Sequence, residues 1–488
     1  MNTFAVNYGN LFSITIPETI LEVVSLLVLV VDLGFLRKST QPARMTAACV
    51  LGVIGSVLAG LWLLTHSGTA SFAGDALVLN SLVAAAQIGI LLLTALVLLL
   101  SFQAEFSRNP GEYVAIVLLA TTGMMLVAAA RDLLVIFVAL ELLSLSLYVL
   151  AAFAKSSALS SEAALKYYLF GGMSAALMLF GFSYLYGLTG TTNLNGIAVS
   201  LASQGLSPLV VVAMVLVAAG LGFKVAAVPF HLWAPDTYQG APAPVAALIA
   251  SGSKVASFAV LVAVTGSLIP AASASRGATW IVLLVWMAGA SILLGNLAAL
   301  AQTSVRRLLA YSAIAHAGYM LLGIAANTPQ SGAAVFYYAL TYALTTVGAF
   351  GVIAVVERNM GSDRFDAFAG LSRRNPLLAA SMLIFLLSLA GIPPLVGFWA
   401  KFNLFAAVLR APGVGAWGLG MVIFALAASA VSLYYYLQVL KRVYVVPAMT
   451  DEPMAVSALE QLVLLVIALL VALLGIFPSA LSGWIPLG

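Results

Sequence analysis

The chain has 488 residues, of which 63% are hydrophobic and only 7% are charged, and its formal net charge is +4 at pH 7. Because a soluble domain carries about 25% charged residues, these values exclude a soluble globular protein and indicate an integral membrane protein. The basic residues are scattered over short connections between apolar segments, so they do not form a nucleic-acid-binding face. The single cysteine, Cys49, excludes an intrachain disulfide and a cysteine-ligated cluster.

Apolar segments of about 20 residues, the length of helix that crosses about 30 Å of hydrocarbon, recur along the whole chain. They predict an all-α polytopic membrane protein. We predict fourteen spans, at 12–35, 45–64, 77–101, 112–129, 131–153, 163–187, 207–227, 244–265, 278–299, 304–324, 332–356, 375–409, 416–440 and 456–479. The N-terminus has no basic region before the first apolar segment, so we expect the first span to be retained and not cleaved as a signal peptide.

The lysines and arginines predict the orientation of the chain. Fourteen of them fall in the odd-to-even connections, whereas the opposite connections hold only three, which are Arg131, Arg276 and Arg410. Connections rich in lysine and arginine stay on the cytoplasmic side. We therefore expect both termini on the outer, periplasmic face of the membrane.

Two of the predicted spans are interrupted by helix-breaking residues. The breaking residues are Pro229, Pro235, Pro242 and Pro244 in the seventh span and Gly391, Pro393 and Pro394 in the twelfth. Broken spans at corresponding positions of two halves are typical of inverted-repeat transporters. We predict an N-terminal three-helix segment (1–111), a five-helix repeat (112–265), a second, inverted five-helix repeat (278–443) and a C-terminal span (456–479).

Five titratable residues lie inside apolar spans, where an unpaired charge is costly. They are Glu141, Lys224, Lys254, His316 and Lys401. Intramembrane charges of this kind mark ion or proton pathways. Glu141 and Lys224 belong to the same repeat at similar depth, and we interpret them as partners. An ion pair that opens and closes can act as a proton switch, whereas a static pair merely locks two helices, and the sequence leaves both possibilities open.

His316 is predicted to lie between Lys254 and Lys401, where a neutral imidazole can both donate and accept a hydrogen bond. Tyr311 and Tyr319 are possible accessory groups that could hold water beside it. His231, in the seventh-span break, is a further accessory candidate, although satisfying backbone groups is its more ordinary role.

Two other features favour structural interpretations. Glu18 and Glu22 lie one turn apart near the outer end of the first span, and we interpret them as a hydrated helix end and not as a proton exit. The tract LYYYLQVLKRVY of span thirteen is typical of an interfacial aromatic belt with basic anchors.

The sequence lacks a glycine-rich phosphate loop, histidines at haem or metal spacing, and a nucleophile elbow. We expect no catalytic or metal-ligating residue in the chain. It is predicted to carry protons or cations and not electrons.

Several stretches together resemble the antiporter-like membrane subunits of respiratory complex I, the bacterial NADH:quinone oxidoreductase. These stretches are ALELLSLSLYVLAAF, SEAALKYYLFGG, FKVAAVPFHLWAPDTYQGAPAPV, SGSKVASFAVL, RLLAYSAIAHAGYML and LAGIPPLVGFWAKF, between about residues 112 and 443. The resemblance implies a central axis of charged residues that moves protons while partner subunits reduce quinone. By motif, Glu141 corresponds to the fifth-span carboxylate, Lys224 to the seventh-span lysine, Lys254 to the connecting lysine and Lys401 to the lysine on the exit side.

Lys401 and the chain length select among the subunit types of this family. The resemblance implies that the sibling subunit M has a glutamate where Lys401 stands, and that subunit L extends into a long lateral helix that this sequence lacks. The chain would then be a non-redox subunit of a translocase in the bacterial inner membrane. NADH, FMN, iron–sulfur clusters and quinone would belong to partner chains, and its neighbours would be subunit M and small subunits such as K and J.

Two alternatives remain. The first is a subunit of a multisubunit sodium/proton antiporter, and the second is a scaffold in which the buried charges are only structural.

Overall fold

The structure is a computed structural model that describes residues 8–66, 68–204, 207–271, 277–448, 452–483 and 485. Within this part the chain is almost entirely helical, as predicted. The exception is an antiparallel hairpin of β1 (Ala70–Phe72) and β2 (Leu77–Leu79), of which β2 occupies the beginning of the predicted third span. Arg276, one of the three basic residues assigned to the outer face, lies outside the described residues.

The N-terminal helices and the first predicted repeat occupy the first half of the chain. The helices are α1 (Tyr8–Val30, extended by a π-helical turn at Val31–Phe35), α2 (Gln41–Thr65), α3 (Ser81–Leu100), α4 (Pro110–Ala129), α5 (Leu133–Ala151), α6 (Ala158–Thr189), α7 (Leu194–Gln204), α8 (Pro208–Val225), α9 (Trp233–Gly240), α10 (Ala243–Ala250) and α11 (Gly252–Ala271). The short helix α7 was not predicted.

The second half contains the remaining helices. They are α12 (Gly277–Leu300), α13 (Val305–Ala326), α14 (Pro329–Met360), α15 (Leu371–Arg374, preceded by a 3-10 turn at Phe365–Phe368), α16 (Pro376–Ala390), α17 (Val396–Arg410), α18 (Gly415–Tyr444), α19 (Ala458–Ile476) and α20 (Ser479–Ser482). Polar side chains cap several of them. Asp132 accepts backbone N–H groups at the start of α5, and Thr328 and Ser457 form capping boxes at α14 and α19.

The described residues contain thirteen helices that are long and apolar enough to cross a membrane. The predicted twelfth span is not among them because it is split into α16 and α17, of 15 residues each, on either side of the predicted break. Gly391 ends α16 with a φ of +88°, a left-handed conformation that favours glycine. The seventh span also breaks as predicted, since α8 ends at Val225 and the chain continues through turns into α9.

A third interruption was not predicted. The predicted eighth span divides at Ser251 into α10 and α11, and Ser251 has non-helical backbone angles (φ −116°, ψ −88°). The neighbouring residues Gly252 and Ser253 are small and permit the break, but their signal is weaker than that of a proline. The consequence is that Lys254 lies in the first turn of a helix and not inside a continuous one.

The helices differ in how far they are buried inside the bundle. In the most apolar windows of α13 and α14, 94% and 89% of the residues are buried, whereas in α18 the share is 22%. His316 therefore lies on a central helix. The exposed apolar faces of the outer helices are what a bilayer or neighbouring subunits would cover.

Candidate proton-transfer site

Lys224 lies in the last turn of α8, beside the seventh-span break, and its side chain is only 6% exposed. Its Nζ donates a hydrogen bond to Ser144 Oγ on α5, and Ser144 Oγ in turn donates to the Leu140 carbonyl. The rings of Tyr148 and Phe223 lie 5.9 and 5.4 Å from Nζ, within the range of cation–π contacts. A hydroxyl and two aromatic faces therefore replace water around this lysine.

Glu141 does not form the direct ion pair with Lys224 that the sequence suggested. In the described part of the chain it has no basic side chain within 4.0 Å, and its buried Oε1 atom has no hydrogen-bond partner. Ser144, three residues further along α5, accepts the hydrogen bond of Lys224 Nζ instead. The two candidate acceptors for Lys224 thus lie one helical turn apart on the same face of α5.

Side chains form hydrogen bonds with backbone groups of the seventh-span break. Trp233 Nε1 donates to the Phe223 carbonyl at 3.0 Å, and Val228 N donates to Ser291 Oγ on α12 at 2.9 Å. Trp233 is 2% exposed, so its indole is buried and forms a hydrogen bond to the backbone of the break. His231 is also buried, and its Nδ1 atom has no hydrogen-bond partner.

At one end of this break a partly exposed charge cluster holds α9 against two other helices. Asp236 forms ion pairs with Lys166 of α6 at 2.7 Å and with Arg307 of α13 at 2.6 Å. Burial alone would raise the pKa of the Asp236 carboxyl, but the hydrogen bonds and charges of Lys166 and Arg307 outweigh it and hold that pKa below its usual value. Lys166 also pairs with Glu162, four residues earlier on the same helix, at 2.7 Å.

Lys254 is 1% exposed and donates from Nζ to the Ala313 carbonyl of α13 at 2.7 Å. Its Nζ also lies 5.6 Å from the centre of the Tyr342 ring of α14. Because His316 follows Ala313 by three residues, the lysine is bound one helical turn from the histidine.

His316 is 3% exposed and both of its ring nitrogens have hydroxyl partners. Nδ1 lies 2.8 Å from Tyr338 Oη, and Nε2 lies 3.4 Å from Tyr436 Oη, which is also hydrogen bonded to Ser312. A hydroxyl group can donate or accept, so this surrounding suits either tautomer of the imidazole.

Two tyrosine rings connect His316 with the neighbouring lysines. The ring of Tyr342 is 4.9 Å from that of His316 on the side of Lys254, and the ring of Tyr319 is 5.7 Å from it and 5.4 Å from Lys401 Nζ. The structure therefore brings Lys254, His316 and Lys401 together in the predicted order. Tyr319 belongs to this cluster, whereas Tyr311 makes no side-chain hydrogen bond within the described residues.

Lys401 lies on α17, just after the twelfth-span break, and is 7% exposed. Its Nζ donates to the carbonyl of Ala390 at 2.8 Å and to Ser429 Oγ of α18 at 2.7 Å. Ala390 is the last residue of α16, so its carbonyl has no partner inside that helix. The break thus supplies one of the acceptors that hold the lysine.

A small cavity adjoins His316 on the side of the twelfth-span break. It is lined by His316, Tyr338, Thr341, Tyr342, Thr345, Ser388, Leu389, Gly397 and Ala400, and its water-accessible volume is about 10 Å³. That volume holds about one water molecule, and the lining offers several polar partners for it.

Lys224 is not connected to Lys254 by any hydrogen bond within the described part of the chain. Buried hydroxyls without partners lie in the intervening region, at Tyr238 and Thr237 of α9 and Thr346 of α14. The Tyr238 ring contacts that of Phe350, one turn after Thr346. Buried polar groups nearly always have a hydrogen-bond partner, so these hydroxyls indicate positions for bound water.

Several functional partners were not predicted from the sequence. Ser144, Ser429 and Asn296, whose Nδ2 donates to Tyr319 Oη at 3.2 Å, are ordinary interhelical residues in an apolar sequence. The interpretation of the tyrosine tract on α18 as an aromatic belt was wrong for two of its members. Tyr434 is exposed, but Tyr435 and Tyr436 are 2% and 0% exposed and are hydrogen bonded to Asn296 and His316, respectively.

The interpretation of Glu18 as part of a hydrated helix end was also wrong. Glu18 is 3% exposed and accepts a hydrogen bond from Gln87 Nε2 of α3 at 2.8 Å, whereas Glu22 is exposed. Within the described residues, no group of three histidine, cysteine, aspartate or glutamate side chains is placed to hold a metal ion.

Comparison with known proteins places this arrangement in a family. The model of the "NADH:quinone oxidoreductase/Mrp antiporter, TM" family matches residues 130–430, more than half of the chain. The chain belongs to this antiporter-like family. A curated relative, NADH-quinone oxidoreductase subunit N 2 of Acidobacterium capsulatum, is 50% identical over 98% of this chain and 99% of its own.

Solved structures agree with this antiporter-like assignment. A chain of respiratory complex I from Thermus thermophilus, in a structure with bound aureothin, is 36% identical and superposes with a TM-score of 0.79 over 95% of this chain and 97% of its own. A chain of the Mrp complex from Dietzia sp. has a TM-score of 0.81 over 97% and 96% of the two chains, but at 22% identity it supports the fold alone.

The near full-length relatives decide between the complex I and the multisubunit antiporter interpretations. They are subunit N proteins of NADH-quinone oxidoreductase, the subunit type that Lys401 and the chain length favoured. As an antiporter-like subunit of this type, the chain is a multi-pass membrane protein that assembles with other membrane subunits.

Proposed function

We propose that this chain moves protons through the membrane part of an NADH:quinone oxidoreductase, along Glu141, Lys224, Lys254, His316 and Lys401. The observation that carries the proposal is the position of His316, which lies between two buried lysines and contacts each through a tyrosine ring. Buried titratable groups that are spaced in this way, with hydroxyls beside them, are typical of proton pathways in membrane proteins.

The first step of the proposed path is a switch at Lys224. Ser144 and Glu141 are one turn apart on α5, so a modest movement of the flexible lysine side chain exchanges the hydroxyl for the carboxylate. Direct pairing with Glu141 stabilises the charged lysine, whereas contact with Ser144 gives it only a neutral hydrogen-bond acceptor in an apolar surrounding. The structure corresponds to the second arrangement. Alternation between the two would bind and release a proton.

The second step crosses from α9 to the central helices. The unpartnered hydroxyls of Tyr238, Thr237 and Thr346 support a water-filled connection between Lys224 and Lys254. From Lys254 the proton passes to His316, which can receive it at one ring nitrogen while the other remains hydrogen bonded to a tyrosine hydroxyl.

The last step leads to Lys401. The cavity beside His316 reaches Ala400 and Ser388, so a single water there would connect the histidine with the twelfth-span break. Lys401 is held there by Ala390 and Ser429. His231 is an accessory candidate, since its unpartnered nitrogen lies in the corresponding break of the first half.

The family supports a division of labour between this chain and its partners. We infer that NADH, FMN, iron–sulfur clusters and quinone are bound by other chains and that this chain is a non-redox subunit of the translocase. We further propose that it contacts subunit M and small subunits such as K and J. The distribution of lysines and arginines supports an inner-membrane location with both termini in the periplasm.

The variant His316→Phe tests the central part of the path, because it keeps an aromatic ring but removes both nitrogens. We expect the complex to assemble and its NADH-driven proton uptake, measured in liposomes, to fall at least about tenfold, the scale of losing one positioned proton-transfer group. Tyr311→Phe, on the same helix but outside the cluster, is the matched control and should pump normally. Equal pumping by the two variants would exclude His316 from the path.

A further inference from the structure

A buried carboxyl lies outside this path, where the side chain of Glu18 on α1 meets that of Gln87 on α3. Glu18 and Gln87 are 3% and 0% exposed, and Gln87 Nε2 donates to Glu18 Oε1 at 2.8 Å. In the described part of the chain, Glu18 has no basic side chain within 4.0 Å. A carboxylate in this position would be a buried charge without a counter-charge, which is strongly unfavourable.

The hydrogen bonds of Gln87 determine the orientation of its amide group. Nε2 also approaches the Met125 carbonyl of α4 at 3.3 Å. Both neighbours of Nε2 are therefore acceptors, and exchanging the amide nitrogen and oxygen would place oxygen against the Met125 carbonyl oxygen. With this orientation, Glu18 Oε2 and Gln87 Oε1 are the two remaining polar atoms of the pair, and each is buried without a partner.

A single proton shared between Glu18 Oε2 and Gln87 Oε1 would give both atoms a hydrogen-bond partner. A carboxylic acid and a primary amide form a closed pair in which the amide N–H donates to the acid carbonyl oxygen and the acid O–H donates to the amide oxygen. The first of these two hydrogen bonds is present between Gln87 Nε2 and Glu18 Oε1. We propose that Glu18 is a proton-binding site, with its proton on Oε2 and held by Gln87 as an acid–amide pair.

The site is separate from the proposed proton path. The remaining contact of the Gln87 side chain is the Met125 carbonyl, and no hydrogen bond in the described residues leads from the pair to Glu141 or Lys254. Glu22, one turn further along α1, is exposed and takes no part in the pair. Glu18 therefore holds its proton and does not pass it on. Its function is to keep the buried hydrogen bond between α1 and α3 without charge.

Infrared difference spectroscopy on the assembled complex tests the proposal. The carbonyl stretch of a protonated carboxylic acid is resolved from that of carboxylates, and it should be present at neutral pH and lost in Glu18→Gln. Glu22→Gln is the matched control and should keep this band. If Glu18→Gln leaves the protonated-acid region unchanged, Glu18 is ionised and the proposal is wrong.

Gln87→Leu tests the pairing without replacing the acid. The acid carbonyl loses its N–H donor, so the band of Glu18 should move to higher frequency, and an unshifted band would contradict the acid–amide pair. If Glu18→Gln assembles poorly, the band shift in Gln87→Leu still tests whether Glu18 is protonated and paired with Gln87.

Assembly and pumping distinguish a held proton from a transported one. Glutamine at position 18 can form an amide–amide pair with the same two hydrogen bonds, so Glu18→Gln should assemble and pump within about twofold of the unaltered complex. A loss of pumping in an assembled Glu18→Gln complex would place Glu18 on a transport path and overturn its role as a held proton.

Discussion

Ser144→Ala is the sharpest perturbation of the proposed switch at Lys224. Ser144 Oγ is the hydrogen-bond acceptor of Lys224 Nζ in this structure. A hydrogen bond to a charged group contributes about 1.5–3 kcal/mol, so its loss should shift the balance between the two positions of Lys224 roughly 10- to 150-fold toward Glu141. A switch that must visit both positions is then held in one of them, and proton transport should slow at least about tenfold.

The assay compares Ser144→Ala with Ser146→Ala in complexes reconstituted into liposomes, with NADH-driven proton uptake and NADH oxidation recorded together. Ser146 is the matched control because it lies on the same helix, is also buried, and donates to the Leu142 carbonyl one turn earlier, as Ser144 does to that of Leu140. Ser146 does not bind the lysine. If both alanine variants pump at the same rate, the hydrogen bond between Ser144 and Lys224 has no role in the switch and the reasoning is wrong.

Two further predictions concern Lys401 and Asp236. Lys401→Glu should assemble and retain partial pumping, because a protonated glutamic acid can still donate to the Ala390 carbonyl. Lys401→Met, which has no such donor, should lose pumping. Failure of both variants to assemble would instead indicate that Lys401 has a packing role. Asp236→Asn should lower the stability of the complex at neutral pH by less than about 1 kcal/mol, because Asp236 is partly exposed and exposed pairs contribute little. Since its pKa is lower in the folded protein than in the unfolded chain, Asp236 stabilises the fold at neutral pH and this contribution is lost as the pH falls below about 4. Thermal unfolding at pH 7 and at about pH 2, well below the unfolded pKa of Asp236, should therefore show a smaller acid-induced loss for Asp236→Asn, and an equal loss in both proteins would contradict the role of the ion pairs.

The buried titratable residues could be recognised from the sequence because hydropathy makes them conspicuous. Lys224, Lys254 and Lys401 interrupt apolar segments, and all three are buried as predicted. The prolines and glycines identified two breaks for the same reason, since their effect on the backbone is local. The third break, at Ser251, lacks a proline and was missed.

The contacts of these residues could not be predicted because they depend on packing between helices that are distant in sequence. Ser144 binds Lys224 in place of Glu141, although both acceptors are on the same face of α5. Tyr436 was assigned to the membrane interface because aromatic residues near basic ones are typical of that region, but it packs against His316. Glu18 was misplaced for a related reason, since its partner Gln87 is 69 residues away.

The most direct measurement is NADH-driven proton pumping by an assembled complex that carries Lys224→Ala, with Glu141→Ala measured beside it. If the buried charges form a proton path, both variants should assemble and pump at least about tenfold more slowly than the unaltered complex, because each removes a group that binds or controls the transferred proton. Normal pumping by an assembled Lys224→Ala complex would show that the charged axis is structural and would contradict the proposed function.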